Sequence, residues 1–426
     1  MTHSLTSAAT TSGESAPLVV RTSRVEDPGA LLALLPPAEQ VAWLRRGDGL
    51  VGWGAAVVLR LSGPDRFADA QTWWRSHSSG AVVRDEVDEH GTGLVCFGSF
   101  AFADEPGDSV LVVPAVVVGR RGDSAWVTTI GAGSISSPPD VSPTAPPAAP
   151  SGVTFTDGAL SGTAWEGIVT EAVGRIGNGF LEKVVLARDL VAIADEDIDV
   201  RWPLQRLAES YPMCWTFHVD GLFGATPEML VRRERGLVTS RVLAGTIRRT
   251  GDDERDLALA ATLARSSKDL EEHEYAVRSV ADALAPHCTS MNVPEAPFVL
   301  HLPNVMHLAT DVAGVAHAAA GDAISSLELA EALHPSAAVG GTPTERALEL
   351  IAEIEEMDRG RYAGPVGWMD ASGDGEWGIA LRSAEVTGRT VRLFAGCGIV
   401  ASSDPEAELA EAQAKFVPVR DAVSGT

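Results

Sequence analysis

Cysteine is scarce in this 426-residue chain. The four residues, Cys96, Cys214, Cys288 and Cys397, are scattered and form no C-x-x-C pair. That spacing argues against a disulfide framework and a structural zinc site, and it fits a reducing cytoplasm. Net positive charge is also missing. The formal net charge is −25 and the isoelectric point near 4.7, so the surface repels nucleic-acid phosphates and anionic lipids, and neither is an expected partner. Any anion the chain binds must be held by local cations or by a metal. No window of about 18 or more uninterrupted apolar residues suggests a membrane span. The opening MTHSLTSAATTSGESAPLVV has neither the basic nor the apolar region of a signal peptide. A G-x-S-x-G elbow is absent, which leaves Ser/His/Asp hydrolysis unsupported. No internal repeat is visible.

What is present is an ordinary globular composition. Hydrophobic residues make up 45% and charged residues 21%, enough apolar material for a large core. The length predicts two or three domains, or one large composite one. Residues 1–16 are small and polar and are expected to be disordered. From 17 to 136, β-rich runs alternate with glycine turns, as at Leu50–Leu61, Gly93–Ala103 and Val110–Val118; this reads as an antiparallel, β-rich N-terminal subdomain. The segment 137–150, SPPDVSPTAPPAAP, reads as a linker or extended surface loop. Residues 151–426 follow as a second region with nearly all the chemical signal. There Trp165, Ile168, Val169, Ala172, Val173 and Ile176 share one helical face, stopped by Gly177 and Gly179. Lys183 to Leu190 reads as a buried strand, and 253–286 and 403–416 as helical.

Several residues are candidates for chemistry. On a strand, Lys183 shares its face with Val185 and Ala187. It is either an edge lysine with its head in water or a partly desolvated general base. Glu228 follows Thr226-Pro227, which reads as an N-cap and first helical residue; its carboxyl either serves the helix dipole or acts as a general acid. Glu408 and Glu411 are three apart on one helical face behind Asp404-Pro405. Such like charges suit a solvated acidic face or a Mg²⁺ site, as does Glu272 beside His273. Arg382 can hold a carboxylate or make a structural ion pair. The glycine-rich segments Ala395–Ile399 and Val339–Thr342 let backbone amides approach an anion, but match neither the dinucleotide fingerprint nor the P-loop.

The order of these segments is distinctive. Lys183–Arg188, Phe223–Leu230, Leu243–Thr246, Glu272-His273, His334-Pro335, Tyr362–Gly367, Gly375–Trp377 with Ala380–Arg382, and Gly396–Glu411 follow one another along 160–420. In this order they resemble the chorismate-utilising enzymes: isochorismate, salicylate, anthranilate and aminodeoxychorismate synthases. Gly49–Gly54 and Phe97–Phe100 extend the likeness more loosely into the N-terminal third.

The resemblance implies an α+β fold with two extended antiparallel sheets packed together, helices outside, and chorismate in a cleft with Mg²⁺. By position, Glu272 and Glu411 correspond to metal ligands, with Glu408 close by. Arg382, Lys415 and the Gly396–Gly398 backbone correspond to holders of the substrate carboxylates, with Tyr362, Thr246 and His334 in the same substrate-binding group. Lys183 stands where water-using branches place a base and ammonia-using ones commonly place Gln, and Glu228 is the implied acid. Ala244 stands where aminodeoxychorismate synthases commonly carry a nucleophilic Lys. The resemblance therefore points to a cytoplasmic isochorismate synthase, an isomerase feeding menaquinone or catecholate siderophore synthesis. It implies a monomer with no glutaminase partner. Salicylate synthase is the alternative, although Leu333–Pro343 looks more like the isochorismate branch. An aminating enzyme or an inactive homologue would be further readings. Two departures stand out: Ala412 follows Glu411 where relatives often carry Thr, and the 137–150 insert looks longer than usual.

Overall fold

The structure is a computed structural model that describes residues 16–425 apart from 136–138, 140, 303–304 and 318–322; the side chains of Lys268 and Glu272 are outside the described set. The expected disordered tail falls almost wholly outside the described residues.

Runs of β-branched residues build the frame. Ser109–Arg121 and Asp48–Leu61 form a long antiparallel ladder in the N-terminal third, where branched side chains pack well on a pleated surface. Leu237–Arg248 and Val305–Ala316 form its counterpart later in the chain, and Lys183–Ile193 runs antiparallel to Thr390–Ile399. Together 21 strands join into one hydrogen-bonded network among the described residues. Helices lie outside the sheet, so the expected α+β class is the observed one.

The Pro-rich segment does not separate two packing units. Gln40–Arg45 pairs with Trp215–Val219, and Val95–Ser99 pairs with Pro365–Asp370. Chain from both sides of 137–150 thus shares the same ladders. Residues 141–150 cross the surface as extended chain. Thr144 donates to the Ala33 carbonyl from its backbone and to the Leu35 carbonyl from its hydroxyl, while Arg201 donates to Thr144 and to the Ala145 carbonyl. These bonds replace the hydrogen bonds that prolines cannot donate.

The helix of the Trp165–Ile176 pattern spans Gly162–Gly177, capped by the Ser161 side chain. Its inward face is Trp165, Val169, Ala172 and Ile176, the stripe expected from 3.6-residue periodicity. The expected helical region 253–286 is two helices, Asp253–Leu263 and Ser267–Leu284; Ser266 starts the second by accepting the Asp269 N–H. The last helix, Pro405–Val423, runs beyond its expected end, is capped by Asp404, and packs on Thr390–Ile399. Among the described residues, no helix is long and apolar enough to cross a membrane.

Candidate active site

A cleft of about 490 Å³ opens where Lys183–Ile193, Leu237–Arg248, Thr390–Ile399 and the Pro405–Val423 helix converge, and every described residue lining it comes after residue 181. Lysine occurs three times in the sequence, at 183, 268 and 415, and Lys183 and Lys415 line this cleft.

Lys183 is the first residue of its strand and half-buried. Its side chain lies across Gly398 on the neighbouring strand. A Cβ placed on that glycine would sit 2.9 Å from Lys183 Cε and 3.4 Å from Nζ, so a bare backbone is what makes room for the lysine.

Glu228 joins two strands, Leu222–Thr226 and Met229–Glu234. The expected helix start at Thr226-Pro227 is not formed. These residues are strand ends, because Leu222–Thr226 is held by Trp215–Val219 and Met229–Glu234 by Gly375–Ile379. One feature of the expected cap survives: Thr226 Oγ1 accepts the Glu228 N–H at 3.2 Å. The side chain lines the cleft yet is only 8% exposed. Burial pushes its carboxyl up to about 7, against the opposing pull of Lys183, Arg382 and Lys415.

Gly245 takes the left-handed conformation (φ +69°) and forms a bulge between Ala244 and Thr246, so that Thr246 faces His307 on the next strand. Thr246 Oγ1 and His307 Nδ1 share a 3.0 Å hydrogen bond. Burial, with Arg382 and Lys415 nearby, holds His307 down at about 4, so its ring is neutral at physiological pH.

Positive charge gathers on the other wall. Arg382 sits in the left-handed region (φ +49°), rare for a residue with a side chain, and its carbonyl accepts the Ala225 N–H. Its guanidinium has no hydrogen-bond or ion-pair partner among the described residues. Lys415 donates to the Gly396 carbonyl at 2.8 Å and pairs with Glu411 at 2.7 Å. That bond shows that Gly396 turns its backbone groups away from the Lys183 strand. Gly398, two residues on, shares the orientation. Ser383–Thr387 covers this edge only as far as Leu393, so the edge at 396–398 opens on the cleft. Tyr362 is buried, stacks on Phe394 with centroids 5.1 Å apart, and is raised above the ordinary tyrosine range by burial.

Carboxylates close the site. Side-chain ligand atoms of Cys397, Glu408 and Glu411 all lie within 4.8 Å of one another. Burial pushes the Cys397 thiol up to about 12, so it stays protonated. Burial also acts to raise Glu411, but the Lys415 ammonium outweighs it and holds the carboxyl below its ordinary value. Ser403 donates to Glu408 at 2.7 Å. Two carboxylates on one helical face at the rim of a cleft lined by Arg382 and Lys415 fit a hard cation that takes oxygen ligands.

The sequence profile of the family described as chorismate binding enzyme matches residues 10–424. The chain belongs to the chorismate-binding enzyme family. Among curated relatives it is 42% identical to isochorismate synthase DhbC of Bacillus subtilis over 259 residues, a match covering 58% of this chain and 64% of that protein. It is 33% identical to a salicylate biosynthesis isochorismate synthase of Pseudomonas aeruginosa, over 90% of this chain and 84% of that one. Among solved structures it resembles MenF, the menaquinone-specific isochorismate synthase of Escherichia coli, with a TM-score of 0.79 and 25% identity, covering 96% of this chain and 95% of that one. The match thus spans just under two thirds of the Bacillus relative.

In this chorismate-binding enzyme, the sequence-selected residues Lys183, Glu228, Thr246, Tyr362, Arg382, Gly396, Gly398, Glu408, Glu411 and Lys415 line the one cleft. Glu272 lies on the Ser267–Leu284 helix with its side chain outside the described set, while Asp269 and Glu271 beside it line the cleft. His334 is a correction. Its ring packs between Phe67 and Phe102, and Nε2 meets the Phe102 carbonyl at 3.1 Å. The imidazole is spent on the core; Ala337, Ala338 and Val339 from the same loop reach the cleft instead. His307 was not picked out from sequence. A histidine in an apolar strand reads as core, and only its place opposite the Gly245 bulge marks it.

Proposed function

We propose that this enzyme is a magnesium-dependent isochorismate synthase, adding water to C2 of chorismate as the C4 hydroxyl departs. The supporting observation is that Lys183 and a buried Glu228 line one cleft together with Arg382 and Lys415. In the reaction a water oxygen bonds to C2, both ring double bonds shift (C1=C2 to C1=C6 and C5=C6 to C4=C5), and the C4–O bond breaks. Lys183 accepts the proton of the attacking water. Glu228, whose carboxyl burial raises to about 7, gives its proton, in its protonated form, to the leaving hydroxyl, which departs as water. Return of the proton from Lys183 to Glu228 resets the pair, and the product is an isomer of the substrate. Arg382 and the outward N–H groups of Gly396 and Gly398 hold the substrate's carboxylates, with Thr246, His307 and Tyr362 completing the walls. Glu408, Glu411 and Glu272 are the residues that would hold Mg²⁺; bound there, the ion neutralises the ring carboxylate of the substrate.

Four free, buried cysteines suit a cytoplasmic enzyme, and water as nucleophile requires no glutaminase subunit, so the working form is taken as a monomer. The test is incubation of purified protein with chorismate, with and without Mg²⁺, separating products and assaying pyruvate. A magnesium-dependent isomer without pyruvate is the expected result. Stoichiometric pyruvate with salicylate would move the enzyme to the lyase branch. A product formed only with ammonia would make it an aminating enzyme, and binding without conversion an inactive homologue.

A further inference from the structure

We infer that the buried Glu355–Arg359 ion pair is the positioning device for Lys183, locking its strand and one cleft wall together; this rests on reading Lys183 as the base. The Lys183–Ile193 strand is covered on one edge, from Val184 to Ile193, by Thr390–Ile399. On the other edge, Gly341–Thr342 pairs only with Lys183 and Val184, and Thr154–Asp157 only with residues from Leu190 onward. Between them the edge has no strand neighbour among the described residues. Its polar groups are met one by one instead. Val185 N–H donates to the Gly340 carbonyl at 2.8 Å, and Arg359 Nη2 donates to the Val185 carbonyl at 2.7 Å. Ala187 N–H donates to Glu355 Oε2 at 2.8 Å, and Trp165 Nε1 donates to the Ala187 carbonyl at 3.0 Å.

The pair making two of these bonds is almost completely dry. Glu355 and Arg359 side chains are 1% and 3% exposed and meet at 2.6 Å. Arg359 Nη1 also donates to the Val339 carbonyl at 2.9 Å, and Val339 lines the cleft. One planar guanidinium therefore spans the strand that starts with Lys183 and the loop that forms the opposite part of the wall. Phe102 covers it at 4.2 Å, and behind lies a second cavity of about 890 Å³ that Arg359 also borders. A buried ion pair adds little stability over apolar residues of the same size. What it supplies here is direction: its bonds oppose sliding of the Lys183 strand along its own axis, the displacement that would carry Lys183 away from Glu228.

The experiment compares Arg359→Gln and Arg359→Lys with Arg233→Gln, which breaks a similarly buried pair to Asp374 away from the cleft (both side chains 9% exposed). Turnover of chorismate is measured beside thermal midpoint and the acetylation rate of Lys183, read by mass spectrometry against a lysine reference peptide. Arg359→Gln is expected to lower kcat about 10–100-fold while KM shifts less than about threefold, and to change the Lys183 acetylation rate. Arg359→Lys regains only part, because an ammonium lacks the flat fork that reaches both carbonyls; it carries the same test if the Gln variant does not fold. Arg233→Gln loses stability but keeps both kcat and Lys183 reactivity. Unchanged kcat and reactivity in folded Arg359 variants, or equal losses in Arg233→Gln, would overturn the inference. If the wild-type protein does not convert chorismate, only the functional reading falls, and the acetylation comparison still decides the positioning.

Discussion

Burial is the largest influence on Glu228, the proposed acid. Three cations act to lower its proton affinity, yet desolvation wins and the carboxyl titrates at about 7. An acid must carry its proton to work, so kcat/KM is expected to fall as pH rises through about 7. In Glu228→Gln that limb should vanish along with most of the rate; a pH–rate profile retaining the limb would assign it elsewhere. Lys183→Ala should lower turnover by roughly 10²–10⁴-fold, with circular dichroism and thermal midpoint unchanged; a near-normal rate would remove Lys183 as base. Type and order of residues were enough to bring Lys183, Glu228 and Arg382 forward from the sequence. The direction of a side chain was not legible. His334 sits in a segment shared with the family, but its ring turns to Phe67 and Phe102. His307 lies on a strand whose periodicity says only that it is buried.

At the scale of elements, the Pro405–Val423 helix brings a cation, Lys415, and a pair of carboxylates, Glu408 and Glu411, to one rim through 3.6-residue spacing. That spacing made Glu408 and Glu411 readable, and Asp404 and Pro405 marked where it begins. What spacing does not encode is the neighbour: nothing in the helix itself announces Cys397 or Gly396 opposite. Glu411→Gln should raise the half-saturating Mg²⁺ concentration at least about tenfold, and an unchanged titration would take Glu411 out of the metal set. On the adjoining strand, Gly398→Ala puts a methyl group against Lys183 Cε. The expected result is a loss of kcat with little change in unfolding midpoint, since the lysine tip, not the backbone, must yield. The Thr226-Pro227 misreading has the same origin. A cap signal is local, and two flanking ladders overrode it.

Across the whole molecule, His218, His307 and His334 are each held down at about 4 by burial. His218 fits the neutral form closely, with Nδ1 against the Gln40 carbonyl and Nε2 accepting the Gly221 N–H. Between pH 6.5 and 4 the unfolded chain binds protons that these folded sites refuse, so stability falls as pH drops through that window. Glu228 and Asp370, raised to about 7 and about 6 by burial, act oppositely, because the folded chain keeps their protons longer. Three groups against two give a net loss: the urea midpoint should be lower at pH 4.5 than at 6.5, and His218→Gln should flatten the slope. Being local patterns, β-branched runs and helical stripes marked individual strands and helices, and the fold class was legible through the family resemblance. The pairing of early with late strands was not, and the Pro-rich stretch suggested a boundary where the sheet has none. Residues 141–150 cross that seam outside any helix or strand, so a polypeptide divided there becomes two pieces, each holding the missing neighbour of the other's sheet. Fused separately to two other proteins, such pieces would turn over substrate only after those proteins had met, making the enzyme a reporter of encounter.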